Sequence, residues 1–464
     1  MYMRKVKKWT TILVAAAMTM GMMACGTGTT SEEPKQQETD QTEEASVTED
    51  AATEGDLKGE FSIMVFHSDD PSATDASAAY WIMANKFMEE NPDVIINTEY
   101  VAHDDYETKL KTLIAGDSLP DVFLTKGDNL PTLVEGEMIL PVLDDIKSVP
   151  GWYESYVSGA FDDGTYEGEA YTIPFQMQAN TIVVYNEQVW KDCGYDEFPA
   201  TYQELLEAVP KVKEAGYVPI ALGNSGQWVA EGALFNTFAY RYVDKAWFDG
   251  IKSGDGSAKF TDPQFVQALT DFQALATAGA FNDDMNSIDD SEMTAMYYNG
   301  TAASFINGAW AVSDIIKNCP EDIKANTRLC LMPSVDGQSG ARENVSGGAG
   351  WGYCLNSKLE GDNKKAAEAF LKYVTTGEYA NVCLEQGYFS AAVSSDVDDS
   401  KLDPFFKEYK EIEETMNFMP IFNVQLPSEL ISEEWADMQE LLINKMTPDE
   451  MAERMQQAIE DTYE

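Results

Sequence analysis

Apolar and polar positions alternate along Glu60-Phe-Ser-Ile-Met-Val-Phe66, a pattern that predicts a strand, and the polar run His67-Ser68-Asp69-Asp70-Pro71 closes it as a loop. Apolar residues then recur at helical spacing through Tyr80, Trp81, Met83, Ala84, Phe87 and Met88 until Asn91-Pro92 stops them. A second strand from Val94 to Val101, a second helix around Tyr106 to Ala115 and a third, buried strand over Leu119-Pro-Asp-Val-Phe-Leu124 follow. Strand, helix, strand, helix, strand in this rhythm predicts a parallel-sheet α/β unit. Ligands of open α/β sheets lie beyond the carboxyl ends of the strands, which puts His67-Ser68-Asp69 and Thr125 to Asn129 where a ligand would sit.

The pattern recurs downstream. Tyr171 to Phe175 and Thr181 to Asn186 are strand-like, and Thr201 caps a helix whose Glu204 supplies a capping-box acid. Phe265 to Ala278 reads as an amphipathic helix, Ala302 to Ile306 as a strand ending in Asn307-Gly-Ala-Trp310, and Gly347-Gly348-Ala349-Gly350 precedes a strand from Trp351 to Leu355. A helix from Lys364 to Thr375 and a last one opening at Thr447-Pro448-Asp449-Glu450 complete the set. From Leu57 onward there are about 400 residues, which suits two lobes better than one core.

Residues 1–56 have a different character. Arg4, Lys5, Lys7 and Lys8 precede an apolar run from Trp9 to Met23 that stops at Ala24-Cys25. A basic head, a short apolar segment and a small residue make a secretion signal, and about 15 residues fall short of the about 20 that a membrane-spanning helix needs. A small residue directly before a Cys resembles the lipobox of bacterial lipoproteins, in which Cys25 would be acylated, although Met22 and Met23 depart from the usual pattern. Gly26 to Asp56 is polar and acidic, with no aromatic residue and Lys35 as its one base, so it is expected to remain a disordered tether. The expected division is a leader over 1–24, then a lipidated Cys and acidic linker over 25–58.

The formal charge is -49, or -53 without the four cations of residues 1–24. So acidic a chain is not built to hold nucleic acid through phosphates. Its field favours neutral or cationic small molecules over anions, unless a local basic pocket intervenes. Beyond Cys25 the cysteines are Cys193, Cys319, Cys330, Cys354 and Cys383, read as buried apolar side chains, with a Cys319–Cys330 bridge as the alternative. No zinc spacing is present, and His67 and His103 are the only histidines. Asp283, Asp284, Asp289 and Asp290 lack EF-hand spacing and read as a solvated loop. Neither a nucleophile elbow, a P-loop nor a His-Glu-x-x-His motif occurs, so catalysis is not expected; a secreted glycosidase is the rival reading.

Lys109-Leu-Lys-Thr-Leu-Ile-Ala-Gly-Asp-Ser-Leu-Pro-Asp-Val-Phe123 resembles the signature of family 1 extracellular solute-binding proteins, the substrate-binding lipoproteins of carbohydrate importers of the ABC class. Tyr166-x-Gly168 with Tyr171-x-Ile-Pro-Phe175, Val184-Tyr-Asn186, Pro199-x-Thr201 with Glu204-Leu205, Asn307-Gly-Ala-Trp310, Gly348-x-Gly350-Trp351 and Thr447-Pro-Asp-Glu450 match in the same order. The resemblance implies a type II, two-lobed periplasmic-binding-protein clamshell, hinged by two or three crossings near Pro174 to Gln178, Ser346 to Gly352 and Gly387 to Ser394. One lobe would be 59–176 plus 351–390, the other 177–350 plus 391–464. It further implies a monomer on the outer face of the cytoplasmic membrane, delivering its ligand to the transmembrane subunits of a permease. No cofactor or metal is expected. A peptide, polyamine, metal or anion on the same fold is the alternative ligand.

A sugar has apolar faces and a hydroxyl rim, so its site needs flat aromatic platforms and paired polar groups. Trp310 matches a stacking Trp of the family, Trp228 resembles another on the same lobe, Trp351 follows the Gly-rich crossing, and Trp435 lies where relatives place a further aromatic. Trp81, Trp190 and Trp247 are assigned to packing. For the rim, Asp128 and Asn129 stand where relatives carry a hydroxyl-binding acid. His67, Ser68 and Asp69 occupy the loop after the first strand, and Gln176 and Gln178 the first crossing.

Overall fold

The computed structural model describes residues 57–70, 75–394 and 398–463. The expected leader, Cys25 and the tether lie outside them. The described residues pack mainly around two large apolar cores, with a small third cluster at Ala179, Leu331 and Val345.

The first core surrounds a five-stranded sheet in the order Val94–Tyr100, Gly59–Val65, Val122–Thr125, Gly352–Leu355, Ile173–Pro174. The first three run parallel, Ile63 opposite Val122 and Gly59 opposite Val94; Gly352–Leu355 runs antiparallel to them, and Ile173–Pro174 pairs antiparallel with it in turn. This is the α/β series expected from the periodicity, with helices Asp75–Glu90 and His103–Ala115 as its crossovers. All four residues of Val122–Thr125 are buried, as a strand covered on both faces requires.

The second core surrounds strands Thr327–Cys330, Ile182–Asn186 and Ser304–Asn307, all antiparallel. Val218 and Ala221 add parallel bridges to Ala302 and Phe305. The helix Tyr202–Glu214 starts as expected, with Thr201 and Glu204 forming a capping box. Helix Pro448–Tyr463 likewise opens on Thr447, whose backbone N–H donates to Glu450 Oε2 at 2.9 Å. Asp289 is not part of an ion-binding loop: it caps helix Asp290–Tyr298 in a second capping box. Among the described residues no acidic or thiol cluster suits a metal ion, and no helix is long and apolar enough to cross a membrane.

Phe175 belongs to the first core and Ile182 to the second, so the chain passes between them over residues 176–181. It passes back between Met332 and Tyr353, and again between Ala392 and Leu402. The first two passages pair with each other, Ala179 opposite Gly347 and Gln178 opposite Gly348. Gly348 has no room for a side chain, since a Cβ there would lie 2.3 Å from Asp163 Oδ2. That buried carboxylate accepts from the Gly350 backbone N–H at 2.9 Å and from Gln425 Nε2 at 2.8 Å, joining both cores to a passage. Cys193, Cys319, Cys330, Cys354 and Cys383 are all free thiols, so no Cys319–Cys330 bridge forms.

Candidate functional site

Between the cores lies a cavity of about 630 Å³. Trp228, Trp310, Trp351 and Trp435 all line it, as do Gln176 and Gln178. Each indole reaches it by a different local device. Trp310 opens helix Trp310–Asn318 directly after strand Ser304–Asn307, and its ring folds over Gly308, where a Cβ would come within 2.0 Å of it. Trp228 follows Gln227, a non-glycine residue at φ 69°, a backbone conformation that costs energy and turns the next side chain toward the cavity. Trp351 follows Gly350 at φ 64° and packs edge-on to Phe66 and Tyr106. Trp435 stands on helix Ser428–Leu442 and donates its indole N–H to Glu231 at 3.1 Å.

The rings form a row. Trp310 and Trp228 have centroids 5.8 Å apart, and His103 sits edge-on between Trp228 at 5.7 Å and Trp351 at 5.9 Å. Beyond Trp351 the Lys126 ammonium lies 5.4 Å from that ring and 5.4 Å from Trp435. His103 and Lys126 come from the first lobe, Trp228 and Trp435 pack on the second core, and Lys111 Nζ donates to Ser432 Oγ at 3.3 Å; the lobes thus touch around the cavity.

Lys126 is almost fully buried, ion-paired with Glu107 and 4.0 Å from Asp128. Burial alone would lower its pKa, but the carboxylates of Asp128, Glu107 and Glu231 outweigh it and hold the ammonium charged above its ordinary value. Burial pushes Glu231 up to about 7 in spite of hydrogen bonds from Asn423, Trp435 and Asn236. At the other end, the neighbouring His103 ring holds the Asp104 carboxyl below its usual range, whereas burial and then repulsion from Asp104 raise Asp290.

Several expected residues are elsewhere. His67 is fully buried in the first core, its Nε2 sharing a hydrogen bond with Tyr353 Oη at 2.9 Å and its ring stacked on Tyr80, so it has no face on the cavity. Ser68 and Asp69 are not among the described cavity-lining residues: the Ser68 backbone bonds Ser77 Oγ, and Asp69 faces solvent. Asp128 and Asn129 are buried behind the lining, Asn129 Nδ2 donating to Asp128 Oδ1 at 3.0 Å; Asp128 meets the cavity only through Lys126. Trp190 and Trp247 are core residues, and Trp81 is half-buried, donating to the His67 carbonyl at 2.9 Å.

Sequence reasoning placed Lys126 within the ligand-side stretch Thr125 to Asn129 without singling it out, and it missed Glu107, Glu231, His103 and Asn180. Two of these carried a signal: Lys126 is a lone cation directly after a four-residue apolar strand, and Glu231 is the one acid in the apolar run Val229-Ala-Glu-Gly-Ala-Leu-Phe235. That run forms a wide π-helical turn, a distortion that recurs at functional sites. Gln178 is buried and lines the cavity; its Nε2 donates to Gln176 Oε1 at 3.2 Å, and its own Oε1 is buried without a partner among the described residues.

A family model described as bacterial extracellular solute-binding protein matches residues 70–381. The chain belongs to that family. Among its extracellular solute-binding relatives, the diacetylchitobiose binding protein DasA of Streptomyces coelicolor is 26% identical over 281 residues, 59% of this chain and 60% of that one. The sn-glycerol-3-phosphate-binding periplasmic protein UgpB of Yersinia enterocolitica is 24% identical over 316 residues, 64% of this chain and 67% of that one. The chain spans about half the length of the first curated relatives it matches. Among solved structures, a chitin oligosaccharide binding protein superposes with a TM-score of 0.78 at 22% identity, covering 87% of this chain and 98% of that chain. A protein from a study of xylan utilization by Caldanaerobius polysaccharolyticus gives 0.77 at 23% identity, covering 86% and 99%. Both carry the two-lobed type II fold to this solute-binding protein.

Proposed function

We propose that this solute-binding protein captures a neutral sugar or oligosaccharide between its lobes and hands it to the membrane subunits of an ABC importer, held at the outer face of the membrane by an acylated Cys25. One observation carries the ligand class: four half-buried indoles line a single cavity together with Gln176, Gln178, Asn180 and Asn423. Flat apolar faces beside amides that both donate and accept are what a pyranose requires. The cavity volume falls in the range of about 300–1,000 Å³ typical of small-molecule sites.

The competing ligand is a phosphorylated solute, which the name of one relative includes. Cavity charge speaks against it. The cations Lys111 and Lys126 share the lining with Asp104, Glu107, Asp289 and Asp290, and Lys126 already pairs with Glu107. With carboxylates outnumbering ammoniums around the lining, a dianion would meet net repulsion.

Melting of the purified protein with chito-, xylo- and malto-oligosaccharides in one series and glycerol phosphate in another tests the reading. A ligand that binds only the folded state raises the midpoint. Stabilisation by a glycan is expected; stabilisation by glycerol phosphate alone would sink the proposal. Trp310→Ala should weaken glycan binding by more than about tenfold, some 1.4 kcal/mol, measured by calorimetric titration.

A further inference from the structure

Of the four cavity-lining indoles, two already have an occupant. Lys126 follows strand Val122–Thr125 of the first lobe, and its ammonium stands 5.4 Å from the ring of Trp351, which packs on the first core, and 5.4 Å from that of Trp435, which packs on the second. Glu107 and Asp128 flank it from its own lobe. From the other lobe comes Glu231, whose carboxylate also takes the Trp435 indole N–H. The cation therefore fills a box made of one ring from each lobe.

A buried ammonium between two indole faces is attracted to both, and that attraction exists only while both rings are in place. Separating the lobes would carry Trp435 and Glu231 away from Lys126 and exchange those contacts for water, while Glu107 and Asp128 of its own lobe stay beside it. The contact thus favours the arrangement in which the lobes meet, and it holds the planes of Trp351 and Trp435 at fixed orientation. The Trp228–Trp310 pair remains for the ligand in the same cavity.

We propose that Lys126 is a positioning and specificity-determining residue of the cleft: an internal cation that occupies the Trp351–Trp435 box, couples the lobes, and leaves the Trp228–Trp310 end as the stacking platform for a ligand without positive charge. This deepens the carbohydrate reading and rests on it for the ligand, but the box itself is a property of the protein alone. A ligand cation brought to the Trp351–Trp435 box would meet the ammonium already there and be rejected from it, in spite of the acidic lining elsewhere.

The test compares wild type with Lys126→Met, which keeps the stem and removes the charge, and Lys126→Arg, which restores a charge suited to stacking on rings. Tryptophan emission of the unliganded proteins comes first: Lys126→Met should shift the spectrum and Lys126→Arg should return it toward wild type. Whichever neutral chito-, xylo- or malto-oligosaccharide stabilises wild type is then titrated. Lys126→Met is expected to bind it about tenfold or more weakly, with Lys126→Arg within about threefold of wild type. The de-N-acetylated, cationic chito-oligosaccharide should gain relative to its neutral counterpart in Lys126→Met. Should Lys126→Met not melt cooperatively, Lys126→Gln replaces it throughout. Unchanged emission in the neutral variant, or an Arg variant as impaired as the Met variant, overturns the proposal. If no glycan stabilises wild type, the carbohydrate reading fails by itself, and the emission comparison still decides the box.

Discussion

His67 follows the first strand and is buried in the apolar core, so a proton on it has no water to solvate it. Burial lowers its pKa to about 3 from an ordinary 6.5. Between these values the unfolded chain takes up a proton that the native protein refuses. His67 therefore makes the fold lose stability as pH falls from 6.5 toward 3, at a rate of up to about 1.4 kcal/mol for each step of one in pH. Glu231 acts in the opposite sense: raised to about 7, it holds a proton in the native state that the unfolded chain releases above 4.5, so its contribution falls as pH rises from 4.5 to 7. Urea unfolding of wild type and His67→Phe at a series of pH values separates the two, and the variant should lose the acid-side fall. Both side chains also mark where sequence reading reaches its limit. A His in a polar run after a strand looks like a ligand; only the packing of Tyr80, Phe175 and Tyr353 around it makes it a core residue.

At the scale of elements, local rules carried well wherever a cap or a period decides the structure. The parallel strands of the first lobe, the Thr201 and Thr447 caps, and the Asn-Gly-Ala-Trp turn all stand where periodicity and capping chemistry place them. Two features escaped because long-range contacts determine them. The expected strand Tyr171 to Phe175 shrinks to Ile173–Pro174, since only these residues meet Gly352 and Tyr353. The π-turn over Val229–Phe235 arises around a buried Glu231 whose partners Asn423 and Trp435 lie nearly 200 residues or more away. Gly348 offers a test at this scale. Gly348→Ala would push a methyl group onto Asp163 and break its bonds to Gly350 and Gln425, at a cost of about 1–3 kcal/mol. Chemical denaturation should record that loss, which is a clash alone, since Gly348 is not among the glycines at positive φ.

For the whole molecule, the chain's formal charge of -49 is carried mostly by the folded residues, which makes the compact state repel itself. Raising sodium chloride from about 10 mM to about 500 mM shrinks the screening length from roughly 30 Å to under 10 Å, so the melting midpoint should rise over that range. A flat or falling midpoint would show that surface ion pairs such as Lys358–Asp117 contribute more than the net repulsion. Two lobes were legible from chain length and repeated α/β rhythm. The way the lobes share Lys126 was not, because Lys126, Trp351 and Trp435 are brought together by three separate stretches of sequence with no common pattern. The passages between the lobes were expected near Pro174 to Gln178, Ser346 to Gly352 and Gly387 to Ser394 from the family resemblance, but their pairing with one another was not legible. Residues 178–179 lie antiparallel against 347–348, so two of the three connections form one strip of ribbon. A twist in either connection is thereby passed to the other, so the backbone ties the two halves together as a spine ties the covers of a book.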